Sequence, residues 1–208
     1  MSEILFLSHR IPFPPDRGDK IRSHHILRHL AKLAPVHVAT FADDAMDYAA
    51  EGDLAAVAAS HCLVRRSKPL ALAAAQAMLS AKPISLTAFH SGVLAEYVKQ
   101  LLAIRPISTI YVFSGQMGQY VPASFTGRVV ADFVDVDSAK FEAYGQRDGG
   151  PKGWAERREA ACLAAEEARL AQRADVSLLI SDAEAALFRS RLPVATLRQC
   201  DVRTLGNG

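Results

Sequence analysis

The chain has only three cysteines, Cys62, Cys162 and Cys200, and they are widely spaced and odd in number. A disulfide framework requires paired cysteines, and zinc or redox motifs require two cysteines close together in the sequence. The spacing therefore argues against both kinds of motif. We interpret these residues as reduced thiols of a cytoplasmic protein.

Long apolar runs are also missing from the sequence. No segment reaches the roughly 18 consecutive apolar residues that a membrane-spanning helix requires. The N-terminus lacks the basic start of a signal peptide, and the apolar run at residues 4–7 is too short to be its hydrophobic core. We therefore expect the protein to remain in the cytoplasm.

An excess of charge of one sign is absent as well. The formal net charge is +2, so no strong general attraction to nucleic acid is expected. The chain has 208 residues, of which 50% are hydrophobic, as in ordinary globular proteins. This length is sufficient for one full domain with a large core, and we expect residues 1–208 to form it.

Strand-like and helix-like segments alternate along the whole chain. Apolar, β-branched runs predict strands at residues 4–8, 36–41, 62–65, 109–113, 129–134, 176–180 and 202–205. Helical spacing of apolar residues predicts helices at residues 19–33, 47–59, 70–79, 86–103, 154–173 and 182–191. This alternation predicts an α/β fold, a Rossmann-like, doubly wound domain with a mainly parallel sheet.

Two glycine-containing segments interrupt this pattern. Residues 145–153 contain four glycines and Pro151, which predicts a loop between two helices. The sequence ends at Gly206, Asn207 and Gly208 directly after a strand-like run, and we interpret this point as a domain boundary.

The most informative segment follows the first predicted strand. Three prolines, Pro12, Pro14 and Pro15, prevent an early helix, while Gly18 lets a ligand approach the backbone and Asp19 is placed to cap the next helix. The free N–H groups at a helix start favour an anion such as a phosphate. We predict a phosphate or sugar site here, at the carboxyl edge of the sheet; the alternative is a surface loop that the prolines only shape.

The first predicted helix carries four basic or titratable residues at spacings of three and four, namely Arg22, His25, His29 and Lys32. These positions share one helix face. Arg22 is closest to the ligand end, where a guanidinium can bind a phosphate or a carboxylate. We interpret His29 and Lys32 as part of a solvated polar face.

Three aspartates, Asp132, Asp135 and Asp137, follow one another at spacings of three and two around the end of the strand predicted at residues 129–134. If the strand continued, Asp135 and Asp137 would lie on one face and Asp132 on the other. One interpretation makes Asp137 or Ser138 the cap of the next helix and gives Asp135 a role in the site. Another makes the three an acidic metal site, although the sequence offers no further ligands.

Residues 114–120 follow another predicted strand and contain two glycines and two glutamines. Ser114 and Gln116 are suited to hydrogen bonding with a polyol. The alternative is an ordinary helix start that Ser114 caps.

A basic and apolar segment at residues 65–82 has two interpretations. Basic residues flank a helix rich in alanine, leucine and methionine, which is typical of contact with an anionic membrane surface. The alternative is a packed surface helix. Further along the chain, Ser181 and Glu184 have the spacing of a capping box.

Together these segments resemble the N-terminal half of GT-B glycosyltransferases of family 4. The resemblance covers nearly the whole chain, and residues 12–22 and 132–138 are closest to the sugar transferases associated with PEP-CTERM/exosortase exopolysaccharide systems. The Glu-rich helix before Ser181 and the final Asn207-Gly208 agree with it but are less specific.

The resemblance implies two Rossmann-like domains, of which this chain is the acceptor-binding one. The second domain, which binds the nucleotide-diphosphate sugar through a pair of glutamates, would lie beyond residue 208, and the chain alone would be inactive. The acceptor would be a polysaccharide or a lipid-linked glycan. If the basic and apolar segment at residues 65–82 contacts a membrane, it would do so peripherally at the inner membrane. Transfer would retain the anomeric configuration, with no metal and no other cofactor.

The resemblance also implies roles for individual residues. Gly18, Asp19 and Lys20 would meet the donor phosphates, with Arg22 at the base of the loop, and Ser114 and Gln116 would meet the acceptor. Many family members have a histidine at the end of the fifth strand, whereas this chain has Asp135 in that region. Asp135 is therefore the candidate catalytic carboxylate, because a carboxylate stabilises an oxocarbenium-like transition state.

Two other functions remain open from the sequence. A non-catalytic Rossmann-type binding or scaffold domain would have no convergent polar groups in its cleft. A dinucleotide-dependent oxidoreductase is poorly supported, because the first turn lacks G-x-G-x-x-G and Asp43 is only a distant candidate for binding a ribose.

Overall fold

The computed structural model describes residues 2–206. Its strands form one seven-stranded parallel sheet in the order β3-β2-β1-β4-β5-β6-β7. The strands are β1 (Glu3–Ser8), β2 (Val36–Ala42), β3 (Ser60–Arg65), β4 (Ile107–Phe113), β5 (Arg128–Val134), β6 (Val176–Leu179) and β7 (Val202–Thr204). The seven predicted strands and the Rossmann-like, doubly wound α/β class are confirmed. Because β1 lies between β2 and β4, the strand order reverses beside β1, and such a reversal opens a crevice at the carboxyl edge.

Helices flank this sheet. They are α1 (Gly18–Leu30), α2 (Ala45–Ala49), α3 (Glu51–Ala55), α4 (Leu70–Ser80), α5 (Ile84–Ala88), α6 (Gly92–Ile104), α7 (Asp137–Arg147), α8 (Gly150–Arg173), α9 (Asp182–Arg191) and α10 (Val194–Leu197). A short 3₁₀ helix, Gly115–Tyr120, follows β4. Asn207 and Gly208, which contribute to the sequence resemblance, lie outside the described residues.

Two long helices predicted from the sequence are each divided in the structure. The predicted helix at residues 47–59 is replaced by α2 and α3, and the one at 86–103 by α5 and α6. The second division has a local cause, because Ser91 adopts extended backbone geometry and its hydroxyl accepts a hydrogen bond from the N–H of Leu94, which starts a new helix.

The loop predicted at residues 145–153 is mostly helical in the structure. Only Asp148 and Gly149 separate α7 from α8. A Cβ atom on Gly153 would lie 1.8 Å from the carbonyl oxygen of Asp148, and one on Gly145 would lie 2.9 Å from the backbone nitrogen of Arg157. These two glycines therefore permit the close approach of the two helices.

Two predicted helix caps are wrong, and one is confirmed. Asp19 lies inside the first turn of α1, where Arg17 occupies the N-cap position, and Asp137 lies inside α7, where Val136 does. In both helices the cap position makes no side-chain hydrogen bond. Ser181 does cap α9, since its hydroxyl accepts a hydrogen bond from the N–H of Glu184.

The chain divides into two compact units. Of the described residues, 2–68 and 89–130 form unit 1, and 69–88 and 131–206 form unit 2. The core of unit 1 is built on β1 and β2, whose residues are all buried. Unit 2 includes a contact between the rings of Phe133 and Phe188, whose centroids are 4.6 Å apart. Among residues 2–206, no helix has both the length and the apolar character needed to cross a bilayer.

Candidate functional site

The predicted donor loop lies in unit 1, between the end of β1 and the start of α1. It leaves the sheet at His9, and a hydrogen bond from the N–H of Ile11 to the carbonyl oxygen of Phe41 ties its beginning to β2. Residues 11–13 of the loop are buried, whereas residues 15–18 are exposed. The tip of the loop is therefore open to a ligand, while its base is fixed in the core.

Gly18 is the first residue of α1 and lies at this exposed tip. A Cβ atom built on Gly18 would meet no other atom within 4 Å, so the space in front of its backbone is open. The Arg17 side chain makes no capping hydrogen bond. The first N–H groups of an α-helix have no acceptor within the helix, so those of α1 are suited to an external one. This arrangement has the form of an anion site at a helix start.

A network of alternating charges joins the ends of three strands at this edge. The Arg10 guanidinium, after β1, donates to Oδ2 of Asp19 at 2.6 Å and to Oδ2 of Asp43 at 2.8 Å. The Arg66 guanidinium, after β3, donates to the other oxygen of Asp43 at 2.6 Å. We call these residues and His9 the edge cluster (His9, Arg10, Asp19, Asp43 and Arg66).

The two carboxylates of the edge cluster are held in their ionised form. Hydrogen bonds from His9 and Arg10 place the pKa of Asp19 far below its ordinary value. Burial raises the pKa of Asp43, but hydrogen bonds from Arg66 and Arg10 outweigh this effect and lower it. The cluster thus fixes the loop, the start of α1 and the end of β2 relative to one another.

Aromatic rings surround the histidine of the edge cluster. The His9 ring stacks on Phe113 with centroids 5.9 Å apart, and Phe89 packs edge-on against it at 5.8 Å. The Arg66 guanidinium lies over the same Phe89 ring at 5.2 Å. Nε2 of His9 lies 3.3 Å from Oδ2 of Asp19, whereas its buried Nδ1 has no hydrogen-bond partner within residues 2–206.

Lys20 and Arg22, which the resemblance assigns to the donor phosphates and the base of the loop, are buried side chains of α1. Nζ of Lys20 donates to Oδ1 of Asp47 at 2.5 Å and to the carbonyl oxygen of Phe13 at 3.4 Å. Its ammonium group therefore anchors the loop from beneath. On the same helix His25 and His29 are exposed.

Ser114 and Gln116, the predicted acceptor residues, follow β4 and bond to each other. The Ser114 hydroxyl donates to Oε1 of Gln116 at 2.6 Å, and Ser114 has a φ of +77°, a strained value for a residue with a side chain. Nearby, the Tyr120 hydroxyl donates to the carbonyl oxygen of Phe89 at 2.5 Å, and burial raises its pKa to about 12. The strand end is thus rigid and carries polar groups.

Asp135 lies in unit 2, in a strained turn that ends β5. The preceding residue, Val134, has a φ of +67°, which is rare for a β-branched side chain. The N–H of Val134 donates to Oδ1 of Asp132 at 3.2 Å, and the N–H of Asp135 donates to the carbonyl oxygen of Phe133 at 2.9 Å. The strand stops at Val134, and the exposed Asp135 lies just beyond it.

Two glutamates from other helices hold the segment after Asp135. Glu184 accepts a hydrogen bond from the N–H of Val136 at 2.9 Å, and Glu167 accepts from both the N–H and the hydroxyl of Ser138, at 2.9 and 2.6 Å. Burial raises the pKa of Glu167. The turn is therefore shaped by unit 2 itself, which is consistent with a positioned carboxylate.

Three members of the edge cluster were not predicted as site residues from the sequence, namely His9, Arg10 and Arg66. His9 and Arg10 directly follow β1, and Arg66 directly follows β3. The sequence predicts strand ends at these two points of the chain, which was the signal that could have identified the three residues. The pairing of Arg10 with Asp43 joins residues that are 33 positions apart, which only the sheet order brings together.

No group of three or more histidine, cysteine, aspartate or glutamate side chains in the described part of the chain has the arrangement of a metal site. Comparison of the sequence with protein-family models found no match, and comparison with curated proteins found none either.

Proposed function

We propose that the chain is the acceptor-side domain of a retaining glycosyltransferase. The enzyme would transfer a sugar from a nucleotide-diphosphate sugar to a polysaccharide or a lipid-linked acceptor. The observation that carries the proposal is the exposed start of α1 at Gly18, beside the strand where the sheet order reverses. In sheets of this class, ligands bind outside the carboxyl ends of the strands at such a reversal.

In this proposal the backbone at Gly18, Asp19 and Lys20 meets the diphosphate of the donor. The side chains of Asp19 and Lys20 hold that backbone in place, since they bond to Arg10 and Asp47. Arg22, at the base of the loop, completes the positive end of the site. A preorganised set of donors stabilises charge that develops on the leaving diphosphate.

Asp135 is the proposed carboxylate that faces the sugar in the transition state. A carboxylate stabilises the positive charge of an oxocarbenium-like state without a metal ion. Support comes from the strained backbone at Val134 and from the exposure of Asp135, which lies just past the end of β5. Ser114 and Gln116 are the proposed acceptor contacts.

The proposal is tested with the full-length protein and a panel of nucleotide-diphosphate sugars, with release of nucleoside diphosphate as the measured product. Gly18→Val is the decisive variant, because its Cβ meets open space in the structure and so obstructs a ligand without disturbing the fold. Gly92→Val is its matched control, since Gly92 is also the first residue of a helix and also faces open space.

We expect Gly18→Val to lose activity and Gly92→Val to retain it. Asp135→Asn should lower kcat by at least about 100-fold if the carboxylate stabilises the transition state. Full activity in both Gly18→Val and Asp135→Asn would refute the assigned site. Failure to release nucleoside diphosphate from any donor would refute the glycosyltransferase itself.

One observation favours the alternative of a non-catalytic binding or scaffold domain. The charges of the edge cluster bond to one another, with Arg10 and Arg66 both on Asp43. Binding without turnover distinguishes this alternative: a nucleotide sugar that binds the full-length protein and is never cleaved would support it.

The proposed partners include an anionic membrane surface at the segment of residues 65–82. Within it, α4 has no charged residue, and four of its large apolar side chains are exposed, namely Leu70, Leu72, Met78 and Leu79. A lipid-linked acceptor would be presented at such a surface. The proposal places the protein in the cytoplasm, in peripheral contact with the inner membrane.

A further inference from the structure

Three side chains form a hydrogen-bonded row at the amino edge of the sheet in unit 1. Oε2 of Glu3 lies 2.8 Å from Nε2 of His37, and Nδ1 of His37 lies 2.7 Å from the hydroxyl oxygen of Ser60. The row crosses three adjacent strands, β1, β2 and β3, and His37 is the register partner of Ser60. It lies at the strand ends opposite to those that carry the edge cluster.

The hydrogen bonds determine the roles of the two imidazole nitrogens. A carboxylate only accepts, so Nε2 of His37 carries the proton that it donates to Glu3. Nδ1 is then an acceptor, and the Ser60 hydroxyl donates to it. A serine hydroxyl that donates to a neutral imidazole, which itself donates to a carboxylate, is the arrangement of an activated serine nucleophile.

Arg105 completes the row from the end of α6. Its Nε and one terminal nitrogen donate to the two oxygens of Glu3 at 2.8 and 2.6 Å. These hydrogen bonds lower the pKa of Glu3 and keep it ionised. Glu3 and His37 are both buried, so bulk water does not compete for the bonds between them.

Ser60 borders a cavity of about 280 Å³, which is the size of a site for a small molecule. Its walls include Tyr97, Gln100, Leu101 and Ile104 from α6, and Arg105, which directly follows this helix. The Tyr97 hydroxyl lies 2.6 Å from the Ser60 oxygen. Gln100 and Arg105 bring polar groups to the same cavity, where Nε2 of Gln100 donates to Oε1 of Glu96 and Arg105 donates to Glu3. The nucleophile therefore faces a cavity with apolar walls and a few polar groups.

We propose that Ser60 and His37 form a second catalytic site, which hydrolyses small carboxylic esters such as acetyl esters. The Ser60 oxygen attacks the ester carbonyl carbon, His37 takes the serine proton, and that proton passes to the departing alkoxide to give an alcohol. Water then attacks the acyl-serine, and its proton returns through His37 to Ser60 as the carboxylic acid leaves. Glu3 is a positioning residue, which orients the imidazole and stabilises its charged form.

The test uses the purified protein with a fluorophosphonate probe, which forms a covalent bond to activated serines, and with p-nitrophenyl acetate. Mass spectrometry should find one adduct per chain, on Ser60, and p-nitrophenyl acetate should compete for it. Ser60→Ala should abolish labelling, and His37→Gln should slow it by at least about 100-fold, the contribution of a general base. Circular dichroism verifies that both variants are folded.

Two further variants distinguish a catalytic role of the hydrogen-bonded row from a purely structural role. Glu3→Gln should lower the maximal labelling rate and shift the acid limb of its pH profile to lower pH, because the charge beside His37 is lost while Arg105 and Tyr97 remain. Tyr97→Phe should leave Ser60 reactive, since His37 still accepts its proton. An unlabelled Ser60 in the folded wild-type protein, or equal rates in wild type and His37→Gln, would overturn the proposal, whatever the outcome for glycosyl transfer.

Discussion

The ammonium group of Lys20 and the carboxylate of Asp47 form a buried ion pair, with Nζ 2.5 Å from Oδ1, beneath the loop that leads to α1. The side chain of Lys20 is 1% exposed and that of Asp47 is 2% exposed. The second oxygen of Asp47 accepts a hydrogen bond from the N–H of Asp43 at 2.7 Å. One carboxylate thus joins the start of α1 to the end of β2.

Removal of the charge of Lys20 should strongly destabilise the protein. In Lys20→Met the carboxylate of Asp47 remains buried without its cation, which costs about 3–5 kcal/mol of the free energy of unfolding. Urea unfolding followed by circular dichroism measures the loss. Lys32→Met is the control, because Lys32 is exposed just after the same helix and should change stability by less than about 0.5 kcal/mol.

The double variant Lys20→Met/Asp47→Leu tests the cause of that loss. Replacement of a buried pair by apolar side chains is often neutral, so the double variant should recover most of the stability lost in Lys20→Met. A Lys20→Met protein within about 1 kcal/mol of wild type would contradict the ion pair as a structural anchor.

Asp19 should give the protein an acid-dependent contribution to stability. Its pKa is lowered below the ordinary value of 3.8 by hydrogen bonds from His9 and Arg10. The unfolded chain therefore binds the proton more readily, so the contribution is full above the unfolded pKa and is lost as pH falls toward the folded pKa. Asp53→Asn, at an exposed position, is the control.

The measurement is the difference in free energy of unfolding between wild type and Asp19→Asn, followed as a function of pH. We expect the difference to be largest above about pH 5 and to shrink between about pH 4 and pH 2. A difference that stayed constant through the acid range would show that the Asp19 carboxylate is not stabilised by its partners.

The strands were predictable because their apolar runs are local in sequence. The strand predicted at residues 36–41 agrees closely with β2, because a strand that is buried on both faces has a nearly continuous run of apolar residues. The division of the helix predicted at 86–103 also has a local signal, because Ser91 caps a new helix that begins at Gly92. This signal was missed because the apolar residues of the segment recur at helical spacing on both sides of it.

The site was predictable only in part. The exposed helix start at Gly18 was predictable, because a glycine between prolines and a helical pattern marks the end of a loop. The partners of Lys20 and Arg10 could not, because Asp47 and Asp43 are 27 and 33 residues away and meet them only through the order of the strands. Asp19 and Lys20, which were predicted to meet the donor phosphates, thus use their side chains to hold the loop.

Gly153, in the first turn of α8, should be essential for packing. A Cβ on Gly153 would lie 1.8 Å from the carbonyl oxygen of Asp148, a backbone atom that has no freedom to move aside. Gly153→Ala should lower the free energy of unfolding by about 1–3 kcal/mol, the usual cost of overpacking. Thermal unfolding measures it.

Gly52→Ala provides the comparison, because Gly52 lies in α3 and its Cβ would meet nothing within 4 Å. Alanine at an open helical position should stabilise the protein by about 0.5–1 kcal/mol. Equal effects of the two substitutions would refute the close approach of α7 and α8 at Gly153.

The exposed apolar side of α4 should bind anionic vesicles. Leu79 is 90% exposed and Leu70 is 70% exposed, on a helix without charges, and the exposed Lys82 is the second residue after this helix. Apolar insertion combined with attraction of lysine to anionic lipid is the usual basis of peripheral membrane binding. In co-sedimentation, the full-length protein should pellet with phosphatidylglycerol vesicles and remain free with phosphatidylcholine vesicles.

Leu79→Glu should reduce this pelleting, because a carboxylate opposes both insertion and attraction to anionic lipid. Val194→Glu is its control, since Val194 is 67% exposed on α10, away from the basic and apolar segment in sequence. Added salt should weaken binding through Lys82, because exposed charges are screened over about 8 Å at physiological ionic strength. Equal pelleting of Leu79→Glu and wild type would exclude α4 as the membrane contact, and no pelleting of wild type would exclude the contact itself.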